Sequence, residues 1–154
     1  MPETPFENHA VLLIRRLVHW DYYDGAISGL GQILVPDFEF LFWTVDERFM
    51  ENSADERLFV VYSIPPGSID RSLDSTGNID PEKLRRLQIP IPSDWEFGDS
   101  EKTKDTRWQH DLETFGMPQH IFLMSNEESV KQHWTVGCEG WPSGRPSFSS
   151  LKIR

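Results

Sequence analysis

The chain has 154 residues, fifteen basic and twenty-five acidic side chains, a formal net charge of −10 and a single cysteine, Cys138. That balance disfavours direct nucleic-acid binding, which relies on Lys and Arg at the phosphates. One cysteine excludes an intramolecular disulfide, and a reducing, cytoplasmic setting is the simpler expectation.

Aromatic residues make up 12% of the chain, including six Trp and ten Phe, which supplies apolar area for a folded core and argues against disorder. No apolar run approaches the ~20 residues of a membrane span. The first residues, Met-Pro-Glu-Thr-Pro-Phe-Glu-Asn-His, lack the basic and then apolar pattern of a secretory leader. The whole of 1–154 reads as one domain, with 1–8 as a flexible tail and 93–106 as a mobile loop.

In chain order, Ala10 to Val18 is rich in Val, Leu and Ile and reads as a strand, with a first helix as the alternative. Asp24-Gly25 is a turn signal. Ile27 to Val35 is a second strand, in which Gly25, Gly29 and Gly31 suggest a bulge or a close backbone approach. Phe38 to Val45 is the clearest strand: Phe38, Phe40 and Phe42 share one face, Glu39, Leu41 and Trp43 the other. Arg57 to Ile64 is a fourth, stopped by Pro65-Pro66-Gly67.

Beyond it, Ile69 to Asn78 reads as loop. Asp80-Pro81 opens a short helix to Leu87, with an N-cap acid and proline in the first turn. Trp108, Leu112 and Phe115 give Arg107 to Phe115 a helical face, and His120 to Met124 is strand-like. Ser125 followed by acids predicts a helix reaching about Trp134. The stretch from Gly137 to Ser150 is dense in Gly, Pro and Ser.

These elements predict an α+β fold: an antiparallel β-meander sheet in the N-terminal half, packed by two or three short helices from the C-terminal half. The expected core is Leu12, Ile14, Phe40, Phe42, Leu58, Val60, Tyr62, Phe122 and Trp134.

No pair among His9, His19, His110, His120, His133 and Cys138 has zinc-ligand spacing, so no metal is expected; His133 with Cys138 comes closest. Ser28 misses the Gly-x-Ser-x-Gly pattern by one residue, and no local signature supports a Cys138–His thiol dyad. Gly25, Gly29 and Gly31 fit neither phosphate-loop pattern. Asp21-x-x-Asp24-Gly25 begins like a calcium loop and then fails its ligand positions. No catalytic residue and no cofactor is assigned.

One segment remains distinctive, His19-Trp20-Asp21-Tyr22-Tyr23-Asp24-Gly25. Eleven acidic against four basic residues precede Gly67, a balance of −7, so the segment lies in the most acidic part of the chain. Rings give rigid contact area and carboxylates an attractive field for a basic surface or a cationic ligand. The expected contact surface joins His19, Trp20, Asp21, Tyr22, Tyr23 and Asp24 with Glu39, Trp43, Asp46 and Glu47.

The leading expectation is a non-catalytic acidic protein that engages a basic partner protein, in the manner of an immunity protein or antitoxin. One alternative is a small hydrolase using clustered carboxylates and a histidine such as His19. Another is a structural or regulatory subunit of a larger assembly.

Overall fold

The computed structural model describes residues 6–49, 55–97, 104–127, 131–137 and 145–150. Its architecture follows from one strand, Phe38–Arg48, whose apolar side chains occupy both faces. A strand buried on both sides needs two partner layers. Here one layer is the inside of a closed barrel and the other is a cover of helices.

The strands in chain order are β1 (Val11–Tyr22), β2 (Ala26–Ile33), β3 (Phe38–Arg48), β4 (Glu56–Ile64), β5 (His120–Ser125) and β6 (His133–Val136). Each pairs antiparallel with the next, and β6 returns to β1 with Leu12 opposite Trp134, closing a six-stranded barrel. The expected α+β arrangement, an open meander sheet packed by helices, is therefore corrected. The sheet has no free edge, and two of its six strands come from the C-terminal half. Closure pairs every strand on both sides and leaves no edge to be blunted.

The interior is filled by Leu12, Ile14, Phe40, Phe42, Phe122 and Trp134 with their neighbours. Leu58, Val60 and Tyr62 belong to the second core, outside the barrel and beneath the helices. All nine expected core residues are buried, but they divide between the two layers.

β1 coils strongly, with register shifts between Ile14 and Arg16 and again between His19 and Tyr22. Such bulges bend a strand and raise its twist, as a small barrel requires. Gly29 sits opposite His19, where a β-carbon would overlap the Val18 carbonyl oxygen. A β-carbon at Gly31 would strike the Phe40 ring. The glycines thus serve the close approach that their clustering suggests.

Among the described residues four helices, α1 (Ser68–Ser72), α2 (Pro81–Arg86), α3 (Ser93–Phe97) and α4 (Lys104–Phe115), lie between β4 and β5. α2 starts as its sequence dictates, with Asp80 accepting from the Glu82 amide at 3.0 Å. α1 forms where a loop was read, and α3 with the start of α4 lies inside the stretch read as a mobile loop. Ser125 to Trp134 was expected to be helical, yet its C-terminal part belongs to β6, where Trp134 and Thr135 pair with both β5 and β1. Two-sided pairing overrides the local helix signal. In the segment read as a tail, Phe6 is buried against the Phe38 and Phe122 rings. On the outer side of β1, Val11 and Leu13 are exposed beside Leu34 and Val35.

His120 is buried, with its ring centroid 5.3 Å from that of Phe6 and 5.7 Å from that of Phe38. Burial lowers its pKa below the ordinary histidine value. The unfolded chain then takes up a proton that the folded chain resists, so stability falls as pH drops through about 6.5 toward the lower folded value. Urea midpoints compared at about pH 7.5 and about pH 5 should show this loss, and His120→Phe should lose less. An identical pH dependence in the variant would exclude His120 as a source.

Candidate functional site

The acidic and aromatic candidates fall into three places. The first is the hairpin joining β1 to β2. His19 to Tyr22 form the last turn-proximal part of β1, and only residues 23–25 are turn. Asp24 takes the left-handed conformation, with φ 49°, that lets the chain reverse. Tyr22 and Tyr23 stand 56% and 76% exposed, and Asp21 and Asp24 are exposed as well. Trp20 lies against Trp95 of α3, ring centroids 4.8 Å apart and nearly parallel. Phe49, 74% exposed, follows the C-terminal end of β3.

This hairpin is held from beneath by Arg57, a residue the sequence reading passed over. Its side chain is buried at the start of β4. Nη2 donates to the Tyr23 carbonyl at 2.6 Å and Nη1 to the Ala26 carbonyl at 3.1 Å, while Nε lies 3.4 Å from the Glu47 carboxylate. One planar cation thus satisfies two turn carbonyls and one acid, a pattern that suits the guanidinium fork. The sequence signal was present: an arginine opening an otherwise apolar strand, Arg57 to Ile64.

The second place is a cleft of about 150 Å³ between α3, α4 and the C-terminal end of β3. Trp43, Asp46 and Glu47 line it, joined by Asp94, Trp108 and Asp111. Trp43 is buried and stacks on Tyr62 at 5.2 Å, so it serves mainly as core and only as a wall of the cleft. Asp46 accepts from the Glu47 amide at 3.0 Å and from the Phe148 amide at 3.0 Å, tying the C-terminal segment to β3. Asp94 pairs with Arg107 at 2.7 Å.

Asp111 is buried and takes both donors of Ser93, the amide at 3.0 Å and the hydroxyl at 3.1 Å. Burial pushes its carboxyl above the ordinary aspartate value, while the Ser93 hydrogen bonds oppose that shift. Asp111 follows Trp108 by three residues on α4, so a carboxylate within an apolar helical stripe was the missed signal.

The third place is Glu39, remote from the other two by register. It is buried, and its carboxylate accepts from the Gly67 amide and, at 2.9 Å, from the Ile69 amide. It anchors the start of α1 and presents no charge to solvent. It belongs to no contact surface.

His19 packs edge-on to the Tyr22 ring, centroids 5.0 Å apart. Among the described residues it forms no ion pair with a carboxylate. Among the described residues no cluster of three or more His, Cys, Asp or Glu is arranged to hold a metal ion. Cys138, the suggested partner of His133, lies outside the described residues. No described helix is long and apolar enough to cross a membrane. Compared with known proteins, the chain matches no family model, and no curated protein or solved structure shows significant similarity to it.

Proposed function

We propose that the protein is a non-catalytic binding protein whose β1–β2 hairpin docks on a basic partner protein. The observation that carries this reading is the pair of tyrosines, Tyr22 and Tyr23, exposed between Asp21 and Asp24 on a turn clamped by Arg57. Exposed rings on a fixed backbone offer apolar contact with little ordering cost. The surrounding net charge of −10 favours a cationic surface and speeds encounter with it. Inhibition of a basic toxin, in a reducing cytoplasm suited to one cysteine, is the most concrete form of this role.

The partner should be captured from native lysate at low salt and released at high salt, because the steering charges are screened. Against that partner, Tyr23→Ala/Asp24→Ala should bind about tenfold to a hundredfold more weakly. Its association rate should also depend less steeply on ionic strength. Full affinity in the double variant would remove the hairpin as the contact site.

A further inference from the structure

We propose that the outer face formed by the start of β1 and the end of β2 is a self-association surface, through which two copies of this chain pair about a twofold axis.

Four large aliphatic side chains stand in solvent there: Val11 is 66% exposed, Leu13 59%, Leu34 48% and Val35 87%. Strand alternation places the first two. Leu12 and Ile14 fill the barrel, so Val11 and Leu13 point outward. All four border one open groove of about 600 Å³, together with Arg15 and Gln132. Aliphatic side chains gathered in one exposed patch mark a contact surface.

Charge selects the occupant. With twenty-five acidic and fifteen basic residues, two copies repel each other over most of their surfaces. Among the described residues no acid lines the groove, and its one charged side chain is Arg15. Here a second copy approaches at low electrostatic cost. An anionic lipid surface, by contrast, meets the full repulsion of a −10 chain.

Shape points the same way. The buried residues Leu12, Ile14 and Ile33 form the floor of the groove, and Val35, the most exposed of the four aliphatics, stands at its border. Knob and groove therefore belong to one patch, as an isologous contact requires. About a twofold axis, Val35 of each copy enters the groove of the other. The apolar patch is on the order of 300–600 Å². With its polar border it approaches the ~800 Å² that each partner gives to a standard interface.

The patch lies far from the exposed tyrosines. Leu13 and Tyr22 are nine positions apart along β1, roughly 25–30 Å at ~3.3 Å per residue. Pairing leaves both hairpins free, and the proposal stands whether or not the hairpin binds a basic partner.

The test is sedimentation equilibrium of the full chain at about 10 to about 200 µM, in about 0.05 M and about 0.5 M NaCl. A monomer–dimer equilibrium with a Kd of about 1–100 µM is expected. Dimerisation should tighten several-fold at the higher salt, because screening removes the repulsion between like-charged copies. That is the opposite sign to a hairpin contact with a basic protein. Val35→Asp, in the exposed turn after β2, and Leu13→Thr, which keeps a strand-forming residue, should each weaken the dimer at least about tenfold. Far-ultraviolet circular dichroism should be unchanged in both. Tyr23→Ala/Asp24→Ala should dimerise like the parent chain. A dimer that weakens with salt, a dimer unaffected by both patch variants, or a larger assembly would overturn the proposal. So would a chain that stays monomeric throughout; if that monomer also sediments with phosphatidylcholine vesicles, the patch faces a membrane instead.

Discussion

Trp134→Ala should cost about 3–5 kcal/mol of stability, the largest single effect expected in this chain. Trp134 is fully buried inside the barrel. Its ring stacks on Phe59 at 4.7 Å and lies 5.1 Å from Phe42 and 5.8 Å from Phe40. Truncation leaves a cavity that these rings, fixed on the paired strands β3 and β4, cannot collapse to fill. For a chain of this size the thermal midpoint should fall by roughly 6–20 °C.

Trp134→Phe should lose only about 1–2 kcal/mol. It retains a ring, and the indole Nε1 it removes has no partner among the described residues. Equilibrium urea unfolding of the two variants measures the difference. The result also tests closure. In an open meander β6 would be the edge strand and Trp134 would be partly wet, so a loss below about 1 kcal/mol for Trp134→Ala would argue against a sealed interior.

Arg57→Met ranks second, at about 3 kcal/mol. Methionine replaces the stem but none of the donors. The carbonyls of Tyr23 and Ala26 lose their partners, and Glu47 loses its nearest cation. Arg57→Lys should recover only part of this loss, because an ammonium cannot reproduce the planar fork. The defect should be local as well as global: amide hydrogen exchange should accelerate at residues 23–26 more than at the centre of β3. Unchanged exchange at the turn would mean that the hairpin holds its own shape and that Arg57 contributes to stability alone.

Local chemistry made much of the fold legible. The alternation of Phe38, Phe40 and Phe42 against Glu39, Leu41 and Trp43 marked β3 and assigned its two faces correctly. Asp80 and Pro81 marked the start of α2 through an N-cap and a preset φ. Glycine clustering signalled the close approach of β1 and β2. The second apolar face of β3 was the clue that one sheet layer was insufficient, because Leu41 and Trp43 also had to be covered.

For the site, the sequence singled out the hairpin's rings and acids, all of which lie near the β1–β2 turn. It misjudged Glu39, because a carboxylate in a strand looks the same whether it faces solvent or caps a helix some thirty residues away. It passed over Arg57 and Asp111, whose roles depend on which backbone and hydroxyl groups the fold brings within 3.1 Å of them.

By itself the sequence determined the acidity, the aromatic core, the strand periodicity of β1 to β4 and the turn at Asp24-Gly25, since these rest on composition and on neighbours within a few residues. Only the tertiary structure decided that the sheet closes, that 133–136 is a strand, that α1 forms and that Asp46, Asp94, Trp108 and Asp111 meet in one cleft. Each of these depends on partners distant in sequence, and the pairing of backbone groups between distant strands follows from the way the whole chain satisfies its hydrogen bonds at once.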